Sequence, residues 1–504
     1  MTTTQPTRST QPNQRRSKPA QAIDKAAEWM TGQPLLDYQM IRTIVLVLAG
    51  LGVVMVTSSS MTWSVIDDQT VWAQPVKQAL MVVVGLIAFY LALRISPERI
   101  RKWAPWMMLI AVILLIVVLT PLGTGRESVG SQSWIALPGF QLQPSEFAKV
   151  TIAIWGASLL ANKDPRSPNW NNGFIPFTIV SVLCFVLIAG QGDFGMAISF
   201  GIVVGFVLVF AGISWLWVGA VAAFGAVLVF LVLIAGGFRS HRFHVFFDAL
   251  FGRFEDTQDT AFQSYQGFLS LADGSLFGVG LGQSRAKWFY LPEAKNDFIF
   301  AVIGEELGLW GGALVILMFF GLGFFGLRAA RRARNQYQSL LAASLTAGVV
   351  SQAFINIGYV VGLLPVTGIQ LPMISAGGTS AIITLGSMGL LASVARHEPP
   401  AVSSMQNHGR PLFDRLFGIP EPTAPGQRKI SSHDEPRDER SKYGQPVTAR
   451  RREAPVRARI TAPERVHRER GEAGVDKHRG RDGSADRPPR APSAQDHFSG
   501  RGRR

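Results

Sequence analysis

Ten long apolar runs dominate this chain and restrict what it can fold into. Their approximate limits are 40–58, 78–95, 104–122, 146–162, 173–190, 194–212, 215–236, 298–327, 338–363 and 377–396. Each is near the ~20 residues that a helix needs to cross a bilayer. A soluble fold would have to bury several helices that are apolar all round, which only a very large core can do. The sequence predicts an all-α integral membrane protein with about ten transmembrane helices. The eighth run is overlong and reads as a half-helix, broken near Gly311-Gly312, followed by a span.

The mean hydropathy of +0.21 averages unlike parts. Residues 1–37 and 397–504 are polar and contain no long apolar run. In the C-terminal segment Lys and Arg outnumber Asp and Glu by about eight, and Pro, Gly and Ser are frequent, so disorder is the expectation. The expected organisation is a disordered N-tail (1–37), a polytopic membrane domain (38–396) and a disordered basic C-tail (397–504). A net charge of +15 raises the question of nucleic acid. Basic membrane-flanking loops and a basic tail account for it without one. The single cysteine, Cys184, lies inside an apolar run, which rules out an internal disulfide and a cysteine-based metal site. The N-terminus does not read as a cleavable signal, so the first span is expected to act as an uncleaved anchor.

The loops give the orientation. "RRSK", "RISPERIRK", "NKDPRSPN", "LRAARRARN" and the basic tail all fall on one side if there are ten spans. The short loops on the other side carry few basic residues. The positive-inside rule then places both termini in the cytoplasm. The stretch from about Phe238 to Asn296, between spans seven and eight, becomes one large external loop. Such long loops are often functional.

Ionisable groups inside spans are costly and usually functional. Glu146 and Lys149 lie one turn apart in "PSEFAK", close enough to pair. An internal structural salt bridge is as good a reading there as catalysis. Asp193 in "QGDFG" suits a helix N-cap. Glu305 and Glu306 in "GEELG" read as helix-end charges packed against loops. Gln352 and Asn356, four apart, read as glue between helices. Asp297, in "LPEAKNDFIF", suits either a cap of the following helix or a general base at the membrane mouth. The sequence contains no Walker A loop, HExxH zinc site or GxSxG elbow, which disfavours ATP-driven transport and metalloprotease chemistry. Secondary transport stays open, because intramembrane acids and interrupted helices are its materials.

Four stretches, "GSQSWIALPGFQLQPSEFAKV", "QGDFGMA", "GVGLGQSRAKWFYLPEAKNDFIFAVIGEELG" and "NIGYVVGLLPVTGIQLPMISAGGTS", resemble in order the SEDS family of bacterial cell-wall proteins. The resemblance spans about residues 40 to 396, and the "KWFYLPEAKNDF" wording is similar to its division-type members. It implies a peptidoglycan glycosyltransferase with ten spans, polymerising lipid II at the outer face of the bacterial cell membrane during septal cell-wall synthesis. It also implies a class B penicillin-binding protein, the division transpeptidase, as partner. By the same resemblance Asp297 matches the essential acid of the external loop, Glu146 and Lys149 the pair of the fourth span, and Asp193 the acid of a "QPD" motif. Gly192 stands where the family often has Pro, and Met373 and Ala376 replace aromatics of a "PFISYGG" motif.

Chemistry gives each residue a candidate role. A sugar hydroxyl needs a base as it attacks the donor's anomeric carbon, and Asp297 is the candidate. The departing lipid pyrophosphate needs positive charge, and Arg285, Lys287, Lys295 and Lys149 are candidates to supply it. An α-linked donor and a β-1,4 product require only one inverting displacement. A divalent cation at the pyrophosphate is compatible with this chemistry, although no dedicated cage is legible. Gly278, Gly280 and Gly282 suit close backbone approach, a lid or plain turns. The basic tail suits anionic membrane lipid, and long-tailed relatives suggest FtsZ or other division proteins. The competing readings are a lipid II flippase, a non-catalytic division scaffold, and an elongation-type rather than division-type polymerase.

Overall fold

In a computed structural model, the described residues are 32–66, 70–138, 140–163, 172–234, 260–285, 291 and 294–422. Each of the ten apolar runs coincides with a helix. In chain order these are α1 (Leu36–Ile66), α2 (Ala73–Arg94), α3 (Pro97–Val117), α5 (Pro144–Leu160), α6 (Phe174–Gly190), α7 (Phe194–Phe210), α8 (Trp215–Ile234), α10 (Ile299–Arg332), α11 (Gln336–Val360) and α12 (Gly378–Arg396). Among the described residues six helices, namely α1, α2, α3, α10, α11 and α12, are long and apolar enough to cross a membrane, and α6, α7 and part of α8 are shorter apolar helices. Between α3 and α5 lie a short helix α4 (Arg126–Val129) and three antiparallel strands, β1 (Gly123–Thr124), β2 (Trp134–Leu137) and β3 (Phe140–Leu142), in the order β1-β2-β3. A further helix, α9 (Thr260–Gly274), belongs to the long loop before α10.

Burial separates inner from outer helices. Most residues of α5, α11 and α12 are buried, whereas α2 and α3 expose continuous apolar stripes, among them Leu80, Val83, Ile87 and Leu91, and Trp103, Trp106, Ile110 and Ile113. Exposed apolar stripes of that extent mark a membrane or a protein-contact surface, and on bilayer-length helices a membrane is the match. Between α2 and α12 the backbones approach so closely that a Cβ on Gly389 would lie 2.4 Å from the Phe89 carbonyl. Such small-residue contacts are how helices pack where no hydrophobic effect drives them together.

The two ends of the bundle differ. At one end, Asp37 of α1 meets Arg328 and Arg332 of α10 at 3.4 and 3.7 Å, and Arg332 meets Glu398 at 3.5 Å. Asn335 donates to Glu98, and Asn162 donates its main-chain N–H to Gln336, at this same end. These contacts gather the described parts of the basic loops on one side, as the charge pattern requires.

The chain stays folded past the expected boundary at residue 396. Helices α13 (Pro399–His408) and α14 (Leu412–Leu416) follow. Arg396 pairs with Asp414 at 2.7 Å, the Tyr38 hydroxyl donates to Asp414 at 2.6 Å, and the Arg396 guanidinium donates to the Pro420 carbonyl at 2.7 Å. Composition hid this, because the interactions come from isolated charges rather than an apolar run. The rest of the tail lies outside the described residues.

The overlong eighth run is interrupted, but at Gly308 and not at Gly311-Gly312. Gly308 has φ 68° and ψ −166°, a region that is in practice reserved for glycine. The interruption frees backbone groups that must find partners. The turn after α9 supplies them: Val279 N–H donates to Glu305 O (2.9 Å), Gly280 N–H to Glu306 O (3.1 Å) and Leu309 N–H to Ser275 O (3.0 Å). Gly278 permits this, since a Cβ there would stand 2.2 Å from the Glu306 carbonyl. Of the earlier readings for this glycine, close backbone approach is what the structure shows.

Candidate active site

Opposite the basic end, a cavity of about 620 Å³ opens among the strands, α2, α5, α7, α12 and the loops before α10 and α12. Three of the sequence-nominated acids, Glu146, Asp193 and Asp297, line it together. They come from three separate stretches of chain.

Asp297 sits in the turn leading into α10, whose N-cap position is Phe298. The structure fixes this turn from α11. Asn356 donates its side-chain amide to the Asp297 carbonyl at 2.8 Å, and the Tyr359 hydroxyl donates to the same oxygen at 2.9 Å. Asn356 also donates to the Ile369 carbonyl at 2.7 Å, and the single Tyr359 O–H, 2.7 Å from that oxygen, is shared between the two carbonyls, joining the loop before α12 to the turn before α10. The preceding residues are held the same way: Ser375 Oγ donates to Asn296 O at 2.6 Å and Ala376 N–H to Lys295 O at 3.0 Å. Asn356 therefore ties a helix to two loops, where the sequence suggested helix-to-helix glue.

Glu146 and Lys149 do pair, at 3.0 Å, with both side chains buried. Lys149 also donates to Gln352 Oε1 at 2.5 Å, and Gln352 Nε2 donates to the Gln370 carbonyl at 3.0 Å. Burying this charge pair is tolerable because extra hydrogen bonds complete it. Asp193 caps a helix and lines the cavity. Its Oδ1 accepts the Met196 N–H at 3.1 Å, capping α7, and its Oδ2 accepts from Gln143 Nε2 at 3.2 Å at the cavity wall. Gly192 has φ 78°, which proline cannot adopt, so the family's usual residue is excluded at this backbone geometry.

Glu305 and Glu306 are structural braces. Ser284 Oγ and the Arg285 main-chain N–H donate to Glu305, and Ser58 Oγ donates to both oxygens of Glu306 at 2.6 and 2.7 Å. Among the candidate cations, Lys149, Arg285 and Lys295 do not line the cavity, and Lys287 lies outside the described residues. Among the described residues, the cation that lines the cavity is Lys77 of α2, which the sequence did not single out. The available signal was a lone lysine opening an apolar run, easily taken for an interfacial anchor. Lys77 shares the wall with Gly377, Gly378, Thr379 and Ser380, the amino end of α12, where backbone N–H groups and the helix dipole favour anions. Ala376 also lines the cavity, so replacing the family's aromatic leaves room there. Among the described residues no cluster of three or more His, Cys, Asp or Glu side chains is arranged to hold a metal ion.

Fold and site together define a polytopic helical membrane protein with a carboxylate-bearing polar cavity at one end of its bundle. A family model described as a cell cycle protein, covering FtsW, RodA and SpoVE, matches residues 38–399, and the chain belongs to that family. It is 41% identical over 395 residues to the probable peptidoglycan glycosyltransferase FtsW of Mycobacterium tuberculosis, covering 78% of this chain and 74% of the relative. It is 36% identical over 359 residues to stage V sporulation protein E of Bacillus subtilis, covering 70% and 95%. Among solved structures, it resembles the rod shape determining protein RodA of Thermus thermophilus in a mutant form (TM-score 0.52, 21% identity, 71% and 97% covered). It also resembles a chain from a peptidoglycan synthase complex in which polymerization and crosslinking are coordinated (TM-score 0.56, 22% identity, 71% and 96% covered).

Proposed function

We propose that this chain is a peptidoglycan glycosyltransferase that polymerises lipid II into β-1,4-linked glycan strands for the septal wall. The observation that carries the reading is the shared cavity: Asp297, Glu146 and Asp193 face one space together with Lys77, at the end of the bundle away from the basic loops. By the positive-inside argument that end is the outer face, where lipid-linked precursors would be consumed. The relatives named peptidoglycan glycosyltransferase support the reaction class, and the likeness to a synthase-complex chain supports a class B penicillin-binding partner.

The arrangement of these residues supports one direct displacement. The acceptor hydroxyl oxygen attacks the donor's anomeric carbon while Asp297 removes its proton. The carbon–oxygen bond to the pyrophosphate breaks, and the lipid pyrophosphate leaves with the bonding pair. Lys77 and the amino end of α12 are placed to stabilise that developing charge. Glu146 and Lys149, locked together below, hold the cavity floor through Gln352 and Gln370.

The flippase reading makes a different demand, namely polar groups along a path through the bilayer. Two assays separate the readings. Purified protein with its class B partner and lipid II should yield glycan polymer, whereas protein in sealed vesicles with fluorescent lipid II should not speed its movement between leaflets. Leaflet exchange without polymer would overturn the proposal.

A further inference from the structure

Helix α14 presents an unusual surface. Leu412 and Leu416 are four residues apart and 84% and 81% exposed, with Phe417 half-exposed beside them. Spacing of four puts the two leucines on one face. The opposite side is firmly docked. Asp414 is fully buried between Tyr38 and Arg396, and Phe413 packs on the core and beneath the Arg42 guanidinium at 4.4 Å. A helix of five residues has no stability of its own. The buried anchors fix its orientation and hold the two leucines outward.

Its position identifies what covers it. The Tyr90 hydroxyl of α2 donates to the Phe417 carbonyl at 2.8 Å, and the two rings lie 6.4 Å apart. Tyr90 is flanked on α2 by Ile87 and Leu91, members of the exposed apolar stripe suited to lipid. The leucine face thus continues the lipid-facing surface at its basic end. Exposed Arg415 stands on the same helix, and exposed Arg94 donates to the Tyr90 hydroxyl at 3.1 Å. The nearby acids are engaged: Asp414 with Arg396, and Glu421 with Arg410 at 3.7 Å.

We propose that Leu412–Phe417 is a membrane-surface foot. Leu412 and Leu416 enter the acyl boundary of the surrounding leaflet, while Arg94 and Arg415 bind the phosphates of anionic phospholipids. Apolar side chains backed by arginines are how short helices lie in such an interface. The foot holds this end of the bundle on the leaflet surface, independently of the reaction at the far end.

Spin labelling tests this on the full chain. Leu416→Cys and, separately, Leu412→Cys are labelled in a Cys184→Ala background and placed in phosphatidylcholine nanodiscs containing phosphatidylglycerol. Both labels should collide more readily with oxygen than with a water-soluble nickel chelate. A label at Ser403→Cys on α13 should show the reverse. Arg94→Gln and Arg415→Gln should each weaken phosphatidylglycerol retention in native mass spectrometry by about fivefold. Preference for the nickel chelate at both leucine positions would place the face in water and overturn the proposal. Protection from both reagents would mean that protein covers it, a second copy or another chain, and would overturn it equally.

Discussion

The Asn356 side-chain amide donates to the main-chain carbonyl of Asp297 at 2.8 Å, so a residue of α11 sets where the acid at the cavity mouth stands. The bond acts on the backbone of a residue that lines the cavity. Its role is therefore positioning. Asn356→Ala is expected to lower turnover between about tenfold and a hundredfold, since small misplacements of a reacting group cost that much. KM for lipid II should change little. A purely structural role predicts instead a lower melting temperature with unchanged activity per folded molecule.

Lys77 supplies a second test. Among the described residues it is the cation that lines the cavity, together with the amino end of α12. Lys77→Ala should cost about a hundredfold in rate if it stabilises the leaving pyrophosphate, and Lys77→Arg should restore most of it. Equal turnover by wild type and Lys77→Ala would show that the leaving group is stabilised elsewhere.

Gly308 carries the interruption in α10. Adding a Cβ would bring it 2.4 Å from the Gly278 nitrogen, in a backbone conformation that side chains avoid. Gly308→Ala should destabilise the protein by more than about 1 kcal/mol. Gly50→Ala in α1, where a Cβ meets nothing within 4 Å, should be neutral or stabilising by up to about 1 kcal/mol. Melting temperatures of the two variants in one detergent decide the matter.

Most of the fold was legible because bilayer-length apolar runs are written in composition. All ten appear as helices, and the described parts of the basic loops gather at one end. The glycine that breaks α10 was misplaced by three residues, because Gly308, Gly311 and Gly312 are equivalent until the α9 turn supplies partners. Glu146 and Asp193 were singled out by a general rule, that ionisable groups near a membrane interior are there for a reason, and Asp297 by its place before a span and by the family resemblance; all three line one cavity. Lys77 was missed because that rule is silent for a lysine at a helix entrance. The fold beyond residue 396 was missed because Asp414, Arg396 and Tyr38 are far apart in sequence and carry no pattern.

The basic end has a titratable contact. Burial, with Asp37 nearby, pushes the Glu398 carboxyl up to about 8, against the opposing pull of Arg332 and Arg328. An acid with a raised folded value stabilises the fold when protonated and loses that contribution as pH rises towards 8. Neighbouring His397 is held down to about 4, chiefly by burial, and its contribution is lost in the opposite direction, below about 6.5. Between about pH 6.5 and 8 Glu398 should therefore act and His397 should not. Hydrogen-exchange protection of α13 should fall across that window in wild type and stay level in Glu398→Gln. Parallel curves for the two proteins would remove Glu398 as the cause.

The central claim is that Asp297 takes the acceptor's proton, and one comparison tests it most directly. Wild type and Asp297→Asn, each purified with the class B partner, are given lipid II, and glycan strands are resolved by gel. Moenomycin is included against contaminating polymerases. The account predicts polymer from wild type, and none from an Asn variant that melts at the same temperature and still binds its partner. Polymer from that well-folded variant would contradict it.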